Sequence, residues 1–212
     1  MSQAALFYKI SRYFRSRRMR LFERTFQITS TTRVLDVGGS PLIWEFASVR
    51  PRLTILNMGV VEPSPWPIDF VIGDGRMLPF EDGAFDIVFS NSVIEHVGTY
   101  ADQRRFAEEV ARVGRQYWVQ TPNRDFPIEL HLMLPLVHYL PKSWQRRVVS
   151  RFTVWERLVR PSPHMRTFYL EHFLNDLKLL NSRQLAVFFP EANILAERVL
   201  GVPKSLIAIR TA

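Results

Sequence analysis

Along the first thirty residues apolar side chains return at helical spacing: Leu6, Phe7, Ile10, Tyr13 and Phe14, then Leu21, Phe22 and Phe26. Arg12, Arg15, Arg17, Arg18 and Arg20 fill the intervening positions, which predicts one or two amphipathic helices over 3–27. The rhythm then changes. Residues 33–36 are mostly β-formers and predict a buried strand, 42–49 a helix and 52–57 a second strand. Residues 62–67 hold three prolines and predict a loop, followed by a short strand over 68–72. The nearly unbroken apolar run AFDIVFS, 84–90, predicts a central strand buried on both faces. A short helix with Glu95 and His96 follows, then a helix over 102–113 and a fifth strand over 116–120. Asn181 and Ser182 cap a helix running to Phe189, and 194–200 with 205–209, separated by Gly201-Val202-Pro203, predict a closing antiparallel hairpin.

Strands alternating with helices through short connections require an α/β fold built on a doubly wound, mostly parallel sheet with right-handed crossovers. Residues 124–172 break the alternation. They are rich in Pro, Trp, His and Arg, exceed an ordinary connection, and predict a mostly helical insertion over the strand ends. The expected organisation is a single domain over 1–212: N-terminal basic helices (1–30), a ligand-binding core (31–123), an insertion or lid (124–172), and a last helix with the closing hairpin (173–212).

One stretch organises the rest. The strand beginning at Arg33 ends in Asp36 and runs into Val37-Gly38-Gly39-Ser40-Pro41. Adjacent glycines permit a sharp turn and leave no Cβ in a ligand's path. Ser40 suits a helix cap and Pro41 the first helical position. Strand, glycine turn and helix start form the nucleotide-approach corner of a doubly wound sheet. A carboxylate at that corner repels a pyrophosphate and welcomes a cation, which points to a ligand with a positively charged amino acid end. Asn57 lies 21 positions beyond Asp36, where a side chain ordinarily meets ribose hydroxyls. Met58 beside it could pack on an adenine face.

Composition changes the picture in two respects. The chain has 212 residues, 47% apolar, without cysteine, so disulfide, thiol-nucleophile and cysteine-metal chemistry are excluded. The net charge of +8 is uneven: 1–24 carry +6, 142–166 carry another +6, and the remainder carries −4. Such basic segments attract anionic partners such as a phosphorylated substrate, lipid head groups or nucleic acid. The N-terminus shows no uninterrupted apolar segment of the signal-peptide kind, and the expected location is cytoplasmic, with peripheral contact at the inner membrane surface through the basic N-terminal segment.

VLDVGGS, then GDGRMLPFEDGAFDIVFSNSVIEHV, then YWVQTPN resemble, in order and spacing over 33–123, the class I methyltransferases dependent on S-adenosylmethionine (SAM), of the type 11 kind that acts on small molecules. The resemblance implies a seven-stranded Rossmann-like methyltransferase sheet with SAM as cofactor. It implies that Asp36, Gly38, Gly39 and Ser40 surround the methionine part, Asn57 and Met58 lie by ribose and adenine, Asp74 takes the adenine amino group beside the Gly75 backbone, and Asn91 lines the sulfonium end. Two positions depart from the family pattern: Ser40 and Leu42 stand where glycines are usual, and Asn57 stands where an acid is usual.

Methyl transfer requires no metal and no covalent intermediate, and none of the His and Glu spacings fits a zinc site. A hydroxyl acceptor needs a base. His96, just past the central strand, and Glu129 and His131, after the fifth strand, are the candidates. The expected function is methyl transfer from SAM to a small or lipid-linked acceptor, an anionic one included, at oxygen. The alternatives are a binding or scaffold protein that keeps the fold without the chemistry, and a nucleic-acid methyltransferase. Ser90-Asn91-Ser92-Val93, where enzymes methylating exocyclic base nitrogens carry a Pro-Pro-aromatic run, argues against nucleic acid.

Overall fold

In a computed structural model the described residues are 3–59, 63–129, 134–151, 156 and 161–211, with backbone alone for 3–11, 150, 169 and 172–176. His131 lies outside them. The chain opens with helix α1 (Gln3–Phe26). The sheet strands follow as β1 (Arg33–Val37), β2 (Arg52–Asn57), β3 (Asp69–Ile72), β4 (Phe85–Asn91) and β5 (Gly114–Pro122). Between them lie the one-turn helix α2 (Pro41–Trp44), a 3-10 turn (Ile94–His96) and α3 (Tyr100–Val113). After β5 come a two-stranded ribbon, β6 (Ile128–Glu129) and β7 (Leu134–Pro135), then α4 (Lys142–Arg151) and α5 (Pro163–Asp176). The last elements are α6 (Ser182–Phe188), β8 (Asn193–Val199) and β9 (Val202–Arg210).

The seven-stranded sheet has the order β3-β2-β1-β4-β5-β9-β8, parallel from β3 to β5 and antiparallel at β5·β9 and β9·β8. The expected parallel core and closing hairpin are therefore present. Alternation along β1 sends Val34 and Asp36 to one face and Leu35 and Val37 to the other, each into a separate core. On the first face α1 packs through Met19 and Phe22. The Phe22 ring meets Phe89 at 4.9 Å, Trp118 at 5.7 Å and Trp44 at 6.0 Å between centroids. On the second face Phe106 and Val110 of α3 and Leu185 of α6 cover Val88, Tyr117 and Val119. Among the described residues no helix is long and apolar enough to cross a membrane.

Three expectations are corrected. The helix expected over 42–49 stops at Trp44, because distant side chains capture its hydrogen bonds. The Glu23 carboxylate of α1 accepts from the N–H of Ser48 at 2.6 Å and of Val49 at 3.0 Å, and the Arg50 guanidinium takes the Trp44 carbonyl. The insertion is not helical at its start: the paired ribbon β6–β7 precedes α4. α3 begins two residues earlier than expected, at a capping box in which Thr99 and Asp102 exchange hydrogen bonds.

Because Phe22 carries the contact of α1 with the sheet, Phe22→Ala is expected to cost about 3–5 kcal/mol in urea unfolding. The neighbouring, partly exposed Leu21→Ala should stay within about 1 kcal/mol. Equal losses at both positions would show that α1 is not docked this way.

Candidate functional site

The site begins where β1 ends. Gly38 has φ +75°, donates its N–H to the Leu56 carbonyl at 2.7 Å, and has Val93 2.6 Å from where a Cβ would stand. A Cβ on Gly39 would fall 1.9 Å from the Asp36 carboxylate. Neither position accepts a side chain, so the backbone lies directly on its surroundings. Asp36 itself is fully buried. The Trp44 indole N–H donates to Oδ2 at 2.8 Å, whereas Oδ1 has no hydrogen-bond partner among the described residues. Burial pushes the carboxyl up to about 7, with the Trp44 bond partly opposing. Ser40 occupies the cap position of α2 in extended conformation, but its hydroxyl makes no capping bond.

Two cavities open along the C-terminal ends of the strands and meet at Gly38 and Asn57. The larger, about 470 Å³, has apolar walls from Val37, Leu56, Val93 and Phe106, with Asp74, Gly75 and Arg76 at one side. The smaller, about 200 Å³, is lined by Arg15, Asp36, Gly39, Ser40 and Asn91 among others. Asn57 holds the junction: its Nδ2 donates to the Gly39 carbonyl at 3.0 Å and its Oδ1 accepts from the Met58 N–H at 2.8 Å. Met58 stands on the rim, mostly exposed.

The carboxylate of Asp74 is engaged by its neighbour Arg76, at 2.6 Å for the closest pair. Those hydrogen bonds, opposed by burial, hold the Asp74 carboxyl below the usual carboxylate range. Arg76 also reaches Asp102 at 3.4 Å, so the far wall of the larger cavity is a fixed charge cluster. Gly75 abuts the Phe106 ring, where a Cβ would come within 2.7 Å.

At the other end, Asn91 closes β4. Its Oδ1 accepts from Arg18 of α1 at 2.5 Å. The Arg18 guanidinium, 6% exposed, also donates to Gln120 Oε1 at 3.0 Å and to both Glu197 oxygens, at 3.0 and 2.5 Å. Burial alone would raise the Glu197 carboxyl, but the Arg18 bonds and charge outweigh it and hold it low. Lys204 beside them is pushed down to about 8, by burial and then by the Arg18 charge, and its ammonium rests 4.1 Å from the Phe14 ring centroid. Arg15, one turn before Arg18, reaches the smaller cavity with no ion-pair partner among the described residues.

The structure thus brings Asp36, Gly38, Gly39, Ser40, Asn57, Met58, Asp74, Gly75 and Asn91 to the borders of two adjoining cavities. His96, on the 3-10 turn, borders the larger one. Glu129 is buried in the β6–β7 ribbon and borders neither, and His131 falls outside the described residues. Sequence reasoning missed four bordering or bracing residues: Arg15, Arg18, Arg76 and Ser92. Ser92 holds a left-handed conformation, φ 58°, while its hydroxyl and N–H both bond Gln120. Helical spacing alone could have placed Arg15 and Arg18 on one face of α1, and adjacency could have paired Arg76 with Asp74.

The donor set fits a zwitterion attached to a nucleoside. The orphaned Asp36 oxygen and the Arg15 guanidinium offer opposite charges to an ammonium and a carboxylate, and the larger apolar cavity with its polar far wall suits a base and ribose. The methyltransferase-domain family matches residues 52–116. An uncharacterized methyltransferase of Mycolicibacterium gilvum is 38% identical over 99 residues, covering 41% of this chain and 36% of that protein. The chain thus spans about a third of the length of the curated relatives it matches. In fold it is similar to a protein of Pyrococcus horikoshii (TM-score 0.54, 14% identity, 90% of this chain and 85% of that one). It is also similar to a chain from the complex of the Haloferax volcanii Trm112 methyltransferase activator with its proposed methyltransferase (TM-score 0.51, 14% identity, 87% and 83%). The family match runs from β2 into the start of β5, so the stretch 52–116 within this seven-stranded sheet is similar to a methyltransferase domain.

Proposed function

We propose that the protein transfers a methyl group from SAM to a small or lipid-linked acceptor, at oxygen. The observation that carries this reading is the bipartite cleft, with an unsatisfied buried carboxylate at one end and an apolar nucleoside-sized cavity at the other. SAM, when bound, supplies an electrophilic methyl on a sulfonium. Everything else falls to the chain. Asp36 and Arg15 hold the amino acid end, and Asn57 fixes the turn at the junction. Asp74, braced by Arg76, faces the base. Asn91, braced by Arg18, borders the reacting end. Holding the partners in attack geometry supplies much of the acceleration, on the order of several kcal/mol.

His96 is the group we assign to take the proton from an acceptor hydroxyl, since it borders the cleft and an imidazole nitrogen can accept a proton. His131, on the insertion, is assigned to the acceptor side, whereas Glu129, buried in the β6–β7 ribbon and bordering neither cavity, is withdrawn as a candidate base. The exposed arginines of α1, among them Arg17 and Arg20, suit an anionic membrane surface from which a lipid-linked acceptor would be drawn.

Three outcomes test this. Titration calorimetry should show saturable SAM binding, and incubation with labelled donor and candidate hydroxyl acceptors should transfer label; binding without turnover over a broad panel would leave a fold without its chemistry. Arg15→Ala should weaken donor binding roughly ten-fold, the loss of one charge-assisted bond, with little change in Tm because the side chain is exposed. The third concerns protons. With its carboxyl near 7, Asp36 is mostly protonated at pH 6, and a bound ammonium ionises it. Donor binding at pH 6 should therefore release close to one proton, detected as a buffer-dependent heat, and Asp36→Asn should abolish that release. The same raised value means the Asp36 contribution to stability declines as pH rises from about 4 to about 7, a slope absent from Asp36→Asn. An unchanged buffer dependence in the variant would remove Asp36 from the ligand contact.

A further inference from the structure

A third cavity, about 300 Å³, lies between the start of α3, the 3-10 turn Val137–Tyr139, the start of α4 and the segment 177–180. It shares no lining residue with the two cavities of the donor cleft. Its described lining contains three cations, Arg124, Lys142 and Lys178, and no carboxylate. Arg124 and Lys178 make no side-chain ion pair or hydrogen bond among the described residues.

Their backbones, in contrast, are firmly placed. The Arg124 N–H donates to the Leu180 carbonyl at 2.9 Å, and the Lys178 N–H donates to the Glu95 carbonyl at 2.8 Å. The Lys178 carbonyl in turn accepts from Gln103 Nε2 at 2.8 Å, and that same amide reaches the Ile94 carbonyl at 3.0 Å. Two unpaired cations are thus carried by rigid supports at the mouth of one cavity. His138 adds a polar wall. Its Nε2 bonds the Arg124 carbonyl at 2.9 Å, which requires a hydrogen on Nε2, and its buried Nδ1 has no hydrogen-bond partner among the described residues. A neutral ring there presents a lone pair; a protonated ring presents another donor. α4 begins at this cavity with Lys142, adding the positive end of a ten-residue helix.

Arg124 and Lys178, cations without an ion-pair partner among the described residues, are better placed beside an anion than beside each other. A phosphate group meets these features: charge for Arg124 and Lys178, and an oxygen that pairs with His138 Nδ1 as donor or acceptor. We infer that this cavity is a second ligand site that binds the phosphate group of a phosphorylated compound, apart from the donor cleft. A free phosphate ester and a phosphate-bearing lipid head group present the same chemistry here.

The test uses the full chain and inorganic phosphate followed by phosphorus NMR, alongside co-sedimentation with phosphatidylcholine vesicles containing phosphatidate. Saturable phosphate binding is expected. Arg124→Ala with Lys178→Ala should weaken it by about ten-fold or more, as expected for the loss of charge-assisted bonds. The same double variant should leave SAM affinity unchanged, which separates failure of this site from failure of the donor cleft. The charge-matched control, Arg52→Ala with Arg115→Ala, exposed residues bordering none of the cavities, should bind phosphate as the parent does. Vesicle binding that phosphate displaces and the double variant loses identifies a lipid source; phosphate binding that vesicles do not displace identifies a soluble ester. Absence of saturable phosphate binding, equal affinity in the double variant, or equal loss in the control would overturn the assignment.

Discussion

A single guanidinium ties the ligand edge of this molecule together. Arg18 leaves α1 and reaches Asn91 at the end of β4, Gln120 on β5 and Glu197 on β8. Taking such a charge out of water costs several kcal/mol, which is recovered only when geometry and hydrogen bonding are good. Here the guanidinium spans a bidentate carboxylate and two amide oxygens. The arrangement is specific in a way an apolar contact is not: any shift of α1 along the aromatic face of Phe89 and Trp118 would break this fork. The position of Arg15 over the smaller cavity follows from it.

The strand tips also show two carboxylates in opposite conditions. Asp74 has its charge consumed by Arg76 and is held low, whereas Asp36 keeps one oxygen unpaired in a dry setting and is held high. One is fully paired; the other leaves an acceptor oxygen unused among the described residues. The protein bears the cost of a buried, half-satisfied acid at the turn where no side chain can shield it, because Gly39 has none. Pairs of similar groups driven apart by their surroundings mark division of labour, one bracing and one receiving.

Much of the fold was legible because each strand is its own signal. AFDIVFS announces a buried strand with no help from its neighbours, and the glycine pair after Asp36 announces its turn. What escaped depends on residues far apart in the chain. The apolar spacing of 42–49 is helical, yet Glu23 intercepts the N–H groups of Ser48 and Val49 and the helix ends. The ribbon β6–β7 has two residues per strand, too few for any periodicity. The glycine corner could be read locally, but the bracing of Asn91 could not, since Arg18 stands 73 positions away. Nor could the cavity beside His138 be read, since its cations come from Arg124, Lys142 and Lys178 on three separate elements.

The Arg18–Glu197 fork joins residues 179 positions apart, the first on the opening helix and the second on the penultimate strand. Glu197 borders none of the cavities, yet removing it would leave the Arg18 guanidinium as a buried charge without its carboxylate and release the helix that carries Arg15. A residue that lines no part of the cleft, and stands far along the sequence from the helix it holds, therefore governs the shape of its edge.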